Sequence, residues 1–115
     1  MYIYDKAREL ADLLKKSDEY QQYKEQKEIV EQDETTKSLL REYKKIQMQA
    51  QAAYMAGQEM DAATLEQFKK LTEVLQFNKD VSQFLMTEHR FYTLMGDIYK
   101  ILGDAVEVDM SFLEA

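Results

Sequence analysis

Apolar residues recur along this chain at intervals of three and four almost from end to end, the spacing of one face of an α-helix. Ala7, Leu10, Ala11 and Leu14 form the first stripe, with Lys6, Arg8, Glu9 and Asp12 on other faces. Ser17 follows two lysines and precedes Asp18 and Glu19, so charges suited to a helix C-terminus and then to an N-terminus mark a break. A second helix is expected from Asp18 to Gln32 on a thin apolar face of Tyr20, Tyr23, the aliphatic stem of Lys27, and Val30. Asp33 is the expected cap of a long third helix, which runs through Leu39, Leu40, Tyr43, Ile46, Gln47, Ala50, Ala53 and Tyr54 to Ala56 and stops at Gly57. Asp61, with Thr64 and Gln67 as a capping box, starts a fourth that should bury Leu65, Phe68, Leu71, Thr72 and Leu75.

Phe77, Asn78 and Lys79 contain no Gly or Pro, so either a kink or a two- to three-residue break fits there. The last helix is expected from Asp80 to about Leu102. Val81, Leu85, Glu88, Tyr92, Met95 and Leu102 fall at coiled-coil-like spacing, Phe84, Phe91, Leu94, Ile98 and Ile101 lie beside them, and Gly103 is the expected end. The fold class that follows is all-α, an antiparallel bundle of four to five helices built around a long helical hairpin. Residues 1–103 form one domain and 104–115 an acidic tail, with Val106, Val108, Met110, Phe112 and Leu113 available to dock. The expected core is Leu39, Leu40, Tyr43, Ile46, Leu71, Leu75, Leu85, Phe91, Leu94 and Ile98. A final helix of about 23 residues is about 35 Å long, against a radius of gyration of about 13 Å for a compact chain of this size. Its wide stripe exceeds what one neighbouring helix covers, so either the third and fourth helices both pack on it or a second chain does; both are expected, and with them a homodimer through Leu85, Glu88, Tyr92 and Met95.

Composition narrows the chemistry. The chain has 115 residues, no proline, no cysteine, no tryptophan and three glycines, which disfavours sheets, Gly-rich phosphate loops, thiol catalysis and cysteine-ligated metals. Fifteen basic against 22 acidic residues give a net charge of −7, so the average surface repels polyanions and nucleic acid is an unfavoured ligand. Only the middle of the chain, residues 35–76, has as many as six basic against five acidic groups. There, Lys37, Arg41, Lys44 and Lys45 make a stripe on the third helix, the alternative nucleic-acid surface. No apolar run is long enough for a membrane span, and the first residues are neither basic nor apolar enough for a leader, so a cytoplasmic location is expected.

Glu88, His89 and Arg90 are adjacent, but consecutive helical residues point about 100° apart and do not converge on one atom. Glu88 sits within the apolar stripe, where a carboxylate needs a partner. With one histidine, no cysteine and no convergent acid, base and nucleophile, no catalytic residue, metal ligand, cofactor or small-molecule substrate is expected. Met48, Met55 and Met60 flank a glutamine-rich turn. Core filling is the default role of such methionines, whereas Met55, Gln58 and Met60 at the tip of two helices are the candidates for binding a protein partner.

Ile3-Tyr4-Asp5-Lys6-Ala7, Leu10-Ala11, the block from Ser17 to Tyr20 and Tyr23-Lys24 resemble the start of the YlbF/YmcA family of small helical bacterial proteins, including its YheA-like branch. Gln47, Gln49, Gln51 and Gly57-Gln58-Glu59 are similar to its glutamine-rich helix and turn. Leu71, Leu75, Asn78, Val81, Phe84-Leu85, Glu88, Leu94, Ile98 and Ile101 resemble its C-terminal stretch, so the likeness spans about residues 3–102. The resemblance implies a helical, usually dimeric protein without turnover of its own. It further implies an accessory factor acting through partner proteins, among them an RNA-processing complex around ribonuclease Y, in the control of competence, sporulation and biofilm formation. Members that join an iron–sulfur complex carry cysteines near the C-terminus; this chain has none and resembles the cysteine-free branch.

Overall fold

The structure, a computed structural model, describes residues 2–108. It contains α1 (Tyr2–Lys16), α2 (Asp18–Glu31), α3 (Glu34–Met55), α4 (Ala62–Gln76) and α5 (Lys79–Ala105), with no strand among the described residues. These fall into two compact units. One is Glu28–Gln83; the other takes the described residues up to Lys27 and from Phe84 onward.

The Glu28–Gln83 unit is built on the α3–α4 hairpin. Asp33 caps α3, its carboxylate accepting from the Thr35 amide at 3.0 Å and from the Thr36 hydroxyl at 3.0 Å. Asp61 caps α4 by accepting from the Thr64 amide at 2.7 Å. The expected capping box is not completed, because the Gln67 amide donates across the hairpin to Glu42 at 3.3 Å. Between the helices, Gly57 takes φ +70° and its amide donates to the Tyr54 carbonyl, while Gln58 donates to Ala53 at 2.8 Å. This pair of bonds satisfies the free carbonyls of the last turn and fixes the chain's exit. Val30, Leu40, Ile46, Leu71, Leu75 and Val81 are buried in this unit. Leu65 is exposed instead; six residues before Leu71, it is turned about 120° away from it around the helix. Leu39 and Tyr43 are only half-buried, since a two-helix layer covers each stripe from one side, although Tyr43 stacks on Phe68 at 5.4 Å between centroids.

The junction of α4 and α5 is a two-residue break. Phe77 is the C-cap of α4, and Asn78 turns the chain into α5, its side-chain oxygen accepting from the Val81 amide at 3.2 Å. Val81 is fully buried beside it.

In the other unit, Ser17 separates α1 from α2 as expected. Its hydroxyl donates to the Leu14 carbonyl at 2.6 Å and accepts from the Tyr20 amide, while the Gln21 side chain caps α1 through the Lys15 carbonyl. Tyr23 lies at the centre of an aromatic group, stacked on Phe91 at 5.2 Å and near Phe84 and Tyr92, with Tyr20 tilted against Phe91 at 5.4 Å. Phe84, Thr87 and Glu88 are buried, but Leu85, Phe91, Leu94 and Ile98 are half-buried rather than buried. The α5 stripe is wider than one neighbouring helix covers.

α5 also runs through Gly103 to Ala105. Gly103 supplies the carbonyl that accepts from Val108 at 2.9 Å, and the left-handed residue is Glu107 at φ 58°. Asp104 and Ala105 thus belong to the helix and not to a tail. Val106 and Val108 are exposed; Met110, Phe112 and Leu113 lie outside the described residues.

Candidate functional site

The register of the hairpin creates an overhang. With Gln67 bonded to Glu42, Ala62 stands opposite about Gln47, so the last two turns of α3 extend past the start of α4. Tyr54 lies on the core side of α3, three turns on from Tyr43, yet it is 85% exposed because no part of α4 reaches it. Met55 is 80% exposed and Gln58 is exposed, whereas Met60 is half-buried. Met48, expected to fill the core, is exposed: two residues after Ile46, it faces nearly the opposite way. The tip therefore brings Tyr54, Met55 and Gln58 to one rigid, uncovered turn. Tyr54 is the residue that periodicity missed, and the only hint in the sequence is that α3 has 22 residues against 15 in α4.

The four positions expected to form a dimer contact lie on α5. Glu88 is buried, Leu85 and Met95 are half-buried, and Tyr92 is exposed at its edge while its ring lies 6.1 Å from Tyr23. The adjacent polar residues diverge, with His89 exposed and Arg90 donating to the Gln22 side chain at 3.1 Å. Lys37 and Lys44 are half-buried on one side of α3, and Arg41 and Lys45 are exposed. Next to this stripe around the helix, Glu34, Thr35, Ser38, Leu39 and Glu42 face Gln67 and Leu71 across an open groove of about 790 Å³.

The Asp61 carboxyl is held below the usual carboxylate range by its hydrogen bonds from the Thr64 side chain and backbone amide. Among the described residues, no three His, Cys, Asp or Glu side chains are grouped to hold a metal ion, and no helix is long and apolar enough to cross a membrane.

The family model described as control of competence regulator ComK, YlbF/YmcA, matches residues 3–107. A UPF0342 protein of Halothermothrix orenii is 36% identical over 111 residues, covering 96% of this chain and 94% of the relative. One from Clostridium novyi is 36% identical over 95% of this chain and 96% of its own length. Among solved structures, a protein of unknown function (DUF964) from Bacillus stearothermophilus has a TM-score of 0.74 at 22% identity, covering 93% of this chain and 94% of that one. At that identity it supports the fold alone.

Proposed function

Because this chain belongs to the YlbF/YmcA family, we propose that it is a non-enzymatic regulatory protein that works by binding a protein partner through the tip of the α3–α4 hairpin. The observation that carries the reading is the uncovered pair Tyr54 and Met55 on a turn fixed by two backbone hydrogen bonds. An aromatic ring and a thioether held on a rigid support bury much apolar area on contact and lose little conformational freedom in doing so. Gln58 beside them adds hydrogen-bonding capacity at the rim. Competence control, named in the family description, supplies the regulatory setting, and the resemblance to accessory factors points to an RNA-processing complex as the partner.

Replacing Tyr54, Met55 and Gln58 together with Ser tests the reading. Affinity purification of the full chain from native cell extract should recover the partner with the wild type and lose it with the variant. Circular dichroism should show equal helicity in both. Unchanged recovery with the triple variant would place the contact elsewhere.

A further inference from the structure

The exposed face of α3 changes character along its length. From Lys37 to Met55 the helix holds four basic residues and one acidic, Glu42, in a chain whose net charge is −7. Glu42 is turned about 100° from Arg41 and accepts from Gln67 across the hairpin. From Ile46 to Gln58 there is no charged residue. Arg41, Lys45, Met48, Ala52 and Met55 follow one another at intervals of three and four and are all exposed, Met48 at 70% and Met55 at 80%. One line on the helix surface is therefore cationic in its first half and apolar in its second. Residues at i, i+3, i+4 and i+7 frame the hole that takes one side chain from a facing helix. Met48, Gln51, Ala52 and Met55 frame such a hole, all four exposed, and the small Ala52 leaves it open. Arg41, Lys44, Lys45 and Met48 frame the hole one heptad earlier. Lys44 is half-buried and already engaged within the chain, whereas Arg41 and Lys45 form no ion pair among the described residues.

We infer that this line of α3 docks an acidic amphipathic helix of a partner protein, which sets a carboxylate into the cationic hole and, seven residues away, a Leu, Ile or Met into the apolar one. The inference rests on the partner-binding reading above and adds the chemistry of the partner. Arg41 and Met55 are about 21 Å apart along the axis, so about two heptads of a facing helix cover the line. Two cations without an ion pair give an acidic partner its charge complement, and the apolar hole beside them fixes its register. A helix that lies on a membrane divides polar from apolar residues around its axis; here they divide along the axis, as an elongated helical partner requires. The phosphates of a nucleic acid would pair with the cations and leave Met48 and Met55 unmet.

Peptide selection on the full chain tests the inference. A displayed library of helix-forming peptides three heptads long should enrich sequences with Asp or Glu at one position and Leu, Ile or Met seven residues away. The enriched peptide, once synthesised, should bind the wild type, and Arg41→Glu with Lys45→Glu, or Met48→Glu alone, should each weaken binding about tenfold. Replacing the peptide's carboxylate with Lys should restore binding to the Arg41→Glu, Lys45→Glu variant. Circular dichroism checks that the variants, all at exposed positions, keep their helices. Enrichment without that heptad pair, unchanged binding by the charge-reversed variant, failure of the Lys peptide to rebind it, or tighter binding of a single-stranded RNA oligonucleotide or of phosphatidylglycerol vesicles would each overturn the proposal. So would a wild-type dimer that Arg41→Glu with Lys45→Glu turns into monomers at sedimentation equilibrium, because a second copy would then occupy the line. In native extract, a partner lost with the Tyr54, Met55 and Gln58 triple variant but kept by Arg41→Glu with Lys45→Glu would overturn this inference and leave the tip reading standing; a partner kept by both would overturn both.

Discussion

The hairpin unit buries aliphatic side chains, with Ile46 at 3% exposure, whereas the unit formed by the two ends of the chain rests on a group of rings around Tyr23 of which Phe84 alone is buried. Aliphatic groups fill space only where helices approach closely and interdigitate. Rings reach farther, and their offset contacts, here at 5.2 to 6.1 Å between centroids of Tyr23 and its neighbours, hold helices without sealing the layer from water. The hairpin is accordingly suited to hold a turn rigidly at its tip. The terminal unit leaves a whole amphipathic helix, α1, with no buried residue.

The largest expected effects test that contrast directly. Ile46→Ala removes a buried side chain and should destabilise the protein by about 3 kcal/mol in urea unfolding. Tyr23→Ala, which removes the central ring of the aromatic group, should cost about 2 kcal/mol because that ring is half-exposed. A larger loss at Tyr23 than at Ile46 would reverse the assignment of the tighter core to the hairpin.

The helix ends give a smaller and sharper comparison. α3 and α5 both end in the same backbone turn, but the left-handed residue is Gly57 in one and Glu107 in the other. A Cβ at Gly57 would meet nothing within 4 Å, so Gly57→Ala should cost only the backbone strain, about 1 kcal/mol. Glu107→Gly relieves that strain and should leave the protein more stable by up to about 1 kcal/mol, less the greater freedom of glycine in the unfolded chain. Thermal unfolding of the two variants should therefore shift in opposite directions. The smallest effect concerns Asp61. Its carboxyl is held low in the folded chain by Thr64, so the stability it contributes is present above the ordinary carboxylate range and is lost as pH falls through the lowered value. The difference in stability between wild type and Asp61→Asn should shrink in acid.

Much of the local structure is written in the sequence. Ser17, Asp33, Asp61 and Asn78 mark helix starts through hydrogen bonds to amides within three residues, and Gly57 supplies the left-handed turn. These are local interactions that need no knowledge of the rest of the chain. Gly103 misled for the same reason, since a glycine permits a stop without requiring one, and helical bonding continues through it to Ala105.

What periodicity leaves open is which apolar position acquires a neighbour. Tyr54 and Tyr43 share one side of α3, and only the hairpin register leaves the first uncovered and stacks the second on Phe68. Phe91, Leu94 and Ile98 belong to one stripe and Leu85 lies on another face of α5, yet each is only half-buried, because burial depends on how much surface a facing helix presents. The groove arises in the same way. Glu34 and Glu42 lie on α3, and Gln67 and Leu71 on α4, and nothing in either segment alone sets them facing each other. Helix positions and caps followed from residues at most a turn apart in the sequence. The tip, the groove and the partial cover of α1 were decided by contacts between segments tens of residues apart, where the relative register of whole helices determines what is covered.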